Sequence, residues 1–246
     1  MIAYMKKYLT VLSLFIVLAL CSCNRLAGDP TTKTFSLHGY YTKLKVEGSF
    51  HVTVSNAANQ VIVVAGENIM PKVAVEVVDE TLKIYLTGPD WTSLATDLEV
   101  MVPYNASLSS VALSGTAQLQ SGYPIQTRKV NVTLSGASKC YCDIEAKELT
   151  LDLSGASEAV LKGKSNAIKA HVSGASRISD RKNEKQYALA CDQFEGTLSG
   201  ASYAFIHCDG SIKADLSGAS KLHYTGNAST KGSNTSGNSQ IFHDDL

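Results

Sequence analysis

Through the C-terminal half of the chain, apolar and polar residues alternate with period two, and a fixed tetrapeptide interrupts the alternation. SGAS begins at Ser135, Ser154, Ser173, Ser199 and Ser217. A variant, Ser114-Gly115-Thr116-Ala117, precedes these copies, and Ser236-Gly237-Asn238-Ser239 follows them. Successive spacings are 21, 19, 19, 26, 18 and 19 residues. A period of this length is the mark of a repeat architecture. Each unit is too short for two helices but long enough for two or three short strands with bends, which is one coil of a β-helix.

Alignment on SGAS predicts the core. Five residues before each motif stand Val130, Leu149, Ile168, Phe194 and Ile212. Three before stand Val132, Leu151, Ala170, Gly196 and Ala214, and one before stand Leu134, Leu153, Val172, Leu198 and Leu216. Side chains two apart on a strand share a face, so these columns point inward. After the motif, Cys140, Ala159, Ile178, Ala204 and Leu222 form another inward column, followed by Cys142, Leu161, Ile206 and Tyr224. The outward columns are polar. Lys139, Glu158, Arg177, Tyr203 and Lys221 form one; Asn131, Thr150, Lys169, Glu195 and Lys213 form another. Opposite charges on neighbouring strands stabilise modestly.

The motif itself reads as a corner. Gly136, Gly155, Gly174, Gly200 and Gly218 supply backbone conformations that residues with a Cβ avoid. Small Ala and Ser keep the bend thin, and stacked hydroxyls satisfy polar groups there. A feature repeated in every unit is architecture more often than a site. One unit is long. Its excess maps to the charged stretch 179–187, which predicts a surface loop with Arg181, Lys182, Lys185 and Tyr187 as candidate binding residues.

Residues 35–104 are also β-rich but lack the motif. Leu44 to Val54 resembles a degenerate coil around Gly48-Ser49, and Asp79-Glu80-Thr81 predicts a hairpin or loop. This part is read as continuous with the repeats or packed on their end. From Ser229 to Leu246 the inward positions lose their apolar residues, which reads as a cap or a frayed end.

The N-terminus changes the picture of where the protein works. Lys6 and Lys7 precede an apolar run, Tyr8 to Leu20, that is short for a membrane span and suited to a signal peptide. The run ends in Leu20-Cys21-Ser22-Cys23. A small residue directly before a cysteine resembles a lipobox, and Cys23 is the expected lipidation site. More than one acyl chain gives stable membrane anchoring. The expected organisation is a lipoprotein signal peptide over 1–22, a tether over 23–34, and an N-terminal β-rich part of the head over 35–104. An SGAS-repeat β-solenoid over 105–240 and a short tail over 241–246 complete it.

Charge and composition exclude some functions. The chain has 246 residues, with 22 Lys and Arg against 22 Asp and Glu. Nucleic-acid binding needs a basic face, and nothing predicts one. Cys140-Tyr141-Cys142 falls on core positions, where cysteine acts as a small hydrophobe. Cys191 and Cys208 fall in different columns of the alignment, and a disulfide between them stays open. Asp152 and His171 are neighbours in an outward column and hint at hydrolase chemistry. No nucleophile elbow, zinc-spaced cluster or phosphate loop accompanies them. Trp91, Tyr40, Tyr41 and Tyr104 suit sugar stacking or packing.

With the lipobox, the Leu44-Lys45-Val46-Glu47-Gly48-Ser49-Phe50 segment and the repeated L-S-G-A-S in view, the chain resembles the auto-transporter adhesin family with the head GIN domain. That family is common among Bacteroides-type bacteria as lipoproteins. The resemblance spans roughly residues 35–225 and implies a β-solenoid head at the envelope, with no catalytic residues and no cofactor. The expected fold is all-β, a parallel β-solenoid of ~19-residue coils. The expected function is a non-catalytic, adhesin-like binding head for a glycan or protein. The expected location is the outer membrane, facing either the cell surface or the periplasm. A structural envelope component and a polysaccharide-processing β-helix enzyme are the alternatives.

Overall fold

The computed structural model describes residues 28–88, 98–179 and 189–244. Among them the chain is all-β, apart from a 3-10 turn at Met70–Lys72 that carries Pro71 in its first turn. The N-terminal strands are β1 (Pro30–Phe35), β2 (Lys43–Gly48), β3 (Phe50–Ser55), β4 (Val61–Gly66), β5 (Val73–Val78), β6 (Thr81–Leu86) and β7 (Leu98–Pro103). The repeats supply β8 (Ser110–Gly115), β9 (Gln118–Ser121), β10 (Ile125–Gln126), β11 (Lys129–Leu134), β12 (Lys139–Leu153) and β13 (Glu158–Val172). They continue with β14 (Arg177–Ser179), β15 (Leu189–Leu198), β16 (Tyr203–Leu216), β17 (Lys221–Thr225), β18 (Asn234–Thr235) and β19 (Gln240–His243).

All of these strands join one hydrogen-bonded sheet, and every pairing within the repeats is parallel. Register follows the motif spacing. Lys139 opposes Glu158, then Arg177, Tyr203, Lys221 and Gln240 in turn. The 26-residue spacing is absorbed between Ser179, which opposes Val160, and Leu189, which opposes Gly163. This split gives one repeat two strands where its neighbours have one. Pairings β13–β14, β14–β16, β16–β15 and β15–β13 therefore close into a parallel four-strand ring.

The inward columns are buried as the alternation predicts. Val132, Leu134, Leu151, Leu198 and Ile212 have no measurable exposure. Burying such a side chain contributes roughly 1.5–3 kcal/mol. Phe194 is the one large ring in a column of Val, Leu and Ile, and Gly196 makes room for it. A Cβ on Gly196 would sit 2.9 Å from Phe194 Cε1.

At each corner the glycine is left-handed, with φ of 72, 78, 73, 75 and 74° at Gly136, Gly155, Gly174, Gly200 and Gly218. The carbonyls of Gly136, Gly155, Gly174 and Gly200 accept the alanine N–H of the next repeat, as in Ala156 N to Gly136 O at 2.7 Å, and Gly218 O accepts Asn238 N at 2.8 Å. The last serine of each motif is buried: Ser138, Ser157, Ser176, Ser202 and Ser220 are 0–1% exposed. These hydroxyls bond across repeats. Ser220 Oγ donates to Leu198 O at 3.1 Å, and Ser138 Oγ to Leu113 O at 3.3 Å. Ala117 fills the same buried position in the first repeat.

Gly48 opposes Gly115, so Lys43 to Ser55 turns the same corner without the SGAS letters. β6 and β7 lie parallel to β2 and β3 on their outer edges. β5, β4 and β1 then add antiparallel and close that end. Asp79 and Glu80, with φ of 49 and 58°, make the tight turn between β5 and β6. At the other end the ladder runs further than the loss of apolar residues predicts. Gly237 repeats the corner at φ 70°, and β19 pairs in register with β17 through His243.

One expectation is corrected. Cys191 and Cys208 share a column: they are direct register partners on β15 and β16. Cys191 precedes its SGAS by eight residues and Cys208 by nine. A bulge takes up the difference, because Asp209 and Gly210 together oppose Asp192. Gly210 is required there, since a Cβ would lie 2.3 Å from Asp192 O.

Candidate functional site

Several expected site residues lie outside the described residues: the lipidation site Cys23, the loop residues Arg181, Lys182, Lys185 and Tyr187, and Trp91. Tyr41 is a packing residue, buried with its hydroxyl donating to Pro103 O at 2.6 Å. Burial pushes its pKa up to about 12. Tyr104 stacks at a tilt on Tyr123. Tyr40 is exposed and stands apart from the repeats.

Asp152 and His171 are register neighbours, but the imidazole turns the other way. His171 Nδ1 lies 2.8 Å from Thr197 Oγ1, on the following repeat. Beside them Lys169, Glu195, Lys213 and Asp215 border an open trough of about 240 Å³. Its sides are exposed polar side chains, and Asp215 Oδ1 is already engaged by Asn234 Nδ2 at 2.7 Å. This is a solvated hydrogen-bond ladder.

The cysteines are core residues. Cys140 and Cys142 are buried, with their sulfurs 3.6 Å apart. The contact with Cys140, then burial, pushes the Cys142 thiol well up. The contact with Cys208, then burial, pushes the Cys191 thiol well up, and Cys208 Sγ donates to Asp192 O at 3.6 Å and to Ser211 O at 3.5 Å. Among the described residues no group of three or more His, Cys, Asp or Glu is placed to hold a metal ion.

The face that follows the corner carries a different arrangement. Arg177, Tyr203 and Lys221 occupy one outward column on three successive strands. The Arg177 guanidinium lies 5.5 Å from the Tyr203 ring centre, and Lys221 Nζ lies 5.9 Å from it. The ring thus holds two cations by cation–π attraction. In the next outward column Phe205, His223 and Phe242 stack nearly parallel, with centroids 4.9 and 4.6 Å apart. His223 Nδ1 is also fixed 2.9 Å from Asp244 Oδ2. Glu158, the nearest acid in the column, is occupied by Ser179 at 2.9 Å and Lys139 at 3.9 Å. Among the described residues no carboxylate lies in ion-pair distance of Arg177 or Lys221. Arg177 Nε is buried, with no hydrogen-bond partner among the described residues. In the sequence Arg177, Tyr203 and Lys221 stand in the first outward column after the motif, and the aromatic column is legible two residues further on, at Phe205 and His223.

The described residues thus form an all-β stack of in-register parallel repeats, with its interior filled and a cation–aromatic row on one outer face. The chain belongs to the family described as putative auto-transporter adhesin, head GIN domain, whose model matches residues 40–228. It is similar to the crystal structure of a putative adhesin from Bacteroides fragilis, at TM-score 0.75 and 15% identity, covering 89% of this chain and 99% of that one. A putative adhesin from Parabacteroides distasonis aligns at TM-score 0.63 and 19% identity over 88% of this chain and 95% of that one. A protein from Parabacteroides distasonis described as a putative lipid binding protein aligns at TM-score 0.64 and 16% identity, covering 89% and 98%. These TM-scores show a shared fold. No curated protein matches the chain. Among the described residues no helix is long and apolar enough to cross a membrane.

Proposed function

We propose that the protein is an outer-membrane lipoprotein, anchored through Cys23, whose parallel β-solenoid head binds an extracellular ligand without catalysis. The observation that carries this reading is the outward row Arg177–Tyr203–Lys221, held in register across three strands with no carboxylate among the described residues within ion-pair distance of its cations. A sheet keeps such a row at fixed spacing, so binding a ligand there does not require the row to be ordered first. The ligand class is a glycan, since a polar, hydroxyl-rich chain suits a flat row of donors better than a deep pocket does. The lipid-binding description of one structural neighbour favours a different ligand. Here the inward columns fill the interior of the repeats, so a lipid would have to lie on the outside.

Two measurements test the reading. The purified full chain is applied to an array of glycans and matrix proteins, and specific retention on at least one is expected. Silence on the whole array from a folded sample sinks the binding reading. For the anchor, Cys23→Ala is expected to move the protein from the membrane to the soluble envelope fraction. Protease added to intact cells is expected to degrade the wild-type head; a protected head would favour a periplasmic structural component.

A further inference from the structure

We infer that the ligand is an acidic polysaccharide, gripped by its carboxylates at Arg177 and Lys221 with the Tyr203 hydroxyl between them; this rests on the binding reading above. The three tips stand on successive strands, so the two cations are separated by two strand spacings, roughly 9.6 Å. That distance is close to the length of one disaccharide in an extended polymer. A chain carrying a carboxylate on its sugars can therefore meet both cations while the hydroxyl hydrogen-bonds the sugar between.

Three features favour this occupant. Guanidinium pairs with carboxylate through two parallel hydrogen bonds, and among the described residues no carboxylate lies within ion-pair distance of Arg177. Tyr203 covers one side of each cation, which weakens its hydration and leaves its other donors free for an anion. The stacked column of Phe205, His223 and Phe242 turns ring edges outward beside the row, a semi-apolar border for the C–H faces of sugars. A duplex or a charged bilayer would call for a broad basic field, and the chain has equal numbers of acidic and basic residues.

The test uses the full chain and polygalacturonate as the probe, with its fully methyl-esterified form, neutral dextran and phosphatidylglycerol vesicles alongside. Binding to polygalacturonate and loss on esterification are expected, with weakening as salt rises. Arg177→Gln and Lys221→Gln should each weaken binding about tenfold, the scale of a lost charge-assisted hydrogen bond. Tyr203→Phe should weaken it about threefold. Lys213→Gln, on the other face, should leave it unchanged. Equal binding of both pectin forms, or binding of vesicles in place of polygalacturonate, overturns the inference. Retention on the array of a neutral glycan or a protein alone overturns it while the general binding reading stands. Silence everywhere removes both.

A separate observation concerns the long repeat. The geometry points to a disulfide between Cys191 and Cys208, tying the strand that leaves the insertion to the next repeat. They are register partners on adjacent strands, 3% and 0% exposed. Neighbouring strands lie about 4.8 Å apart, within the Cα range of about 4.4–6.8 Å for disulfides. The bulge beside them lets the backbone adjust. The oxidant is a protein or small-molecule disulfide of an oxidising envelope. Cys208 attacks one of its sulfurs and expels the first thiolate. Cys191 then attacks Cys208 Sγ, losing its proton and expelling the second half, so two electrons and two protons pass to the oxidant.

The full chain, produced by export, is alkylated in denaturant without reductant and digested with trypsin. Peptide 186–213 holds both residues, while Cys140 and Cys142 fall on peptide 140–147. The first peptide is expected without alkyl groups and lighter by two hydrogens. Two alkyl groups on it would refute the cross-link.

Discussion

Replacing Gly155 by alanine tests the account of the corner most directly. The residue sits at φ +78°, and an added Cβ would lie 2.5 Å from Gly136 O and 3.1 Å from Gly136 N. Neither atom can retreat freely, because Gly136 O accepts Ala156 N at 2.7 Å. The left-handed backbone costs an alanine about 1–2 kcal/mol. Forcing extra volume against packed neighbours costs a further 1–3 kcal/mol or so. A loss of about 3 kcal/mol corresponds to a drop in Tm of roughly 10 °C for a chain of this size. Two other glycines separate the contributions. Gly232, at φ +94° with nothing within 4 Å, isolates the backbone cost, and Gly122, with open space and no positive φ, isolates neither. Thermal unfolding followed by circular dichroism should rank the losses as Gly155→Ala, then Gly232→Ala, then Gly122→Ala. A Gly155→Ala protein that melts within about 2 °C of wild type would refute the reasoning that adjacent corners touch.

Further outcomes follow from the same contacts. Ser220→Ala removes donation to Leu198 O and Ser217 O from a fully buried hydroxyl. It should cost about 1 kcal/mol in denaturant unfolding, with Ala117 showing that the position accepts a methyl. Gly196→Ala should destabilise by about 1–3 kcal/mol by pressing on Phe194. The double variant Phe194→Ile with Gly196→Ala copies the Ile168/Ala170 and Ile212/Ala214 pairs and should recover most of that loss. For Tyr41 burial raises the folded pKa to about 12, above the ordinary tyrosine value of 10.0. The stability linked to its proton is therefore complete below pH 10 and lost as pH rises towards 12. Absorbance titration should show one tyrosine ionising late in the wild type and absent from Tyr41→Phe; superimposable curves would contradict its burial.

What the sequence determined by itself is the set of columns. Period-two alternation, counted from SGAS, predicts which residues stack on which, from Val130 on Leu149 through Leu216, and a corner where every repeat has glycine. This is legible because in-register parallel stacking translates one repeat onto the next, so a one-dimensional offset is also a three-dimensional neighbour. The resemblance to the adhesin family rests on the same letters. Tertiary structure decided whatever breaks that translation. The bulge at Asp209-Gly210 brings Cys191 onto Cys208, although motif counting separates them. The antiparallel strands β5, β4 and β1 close one end through contacts between segments distant in sequence. His171 bonds Thr197 instead of Asp152 through its ring orientation, which no column predicts. The cation–aromatic row belongs to both. Its residues share a column by offset, but the placement of two cations about the Tyr203 ring depends on side-chain torsions, which are chosen only once neighbouring strands are in place.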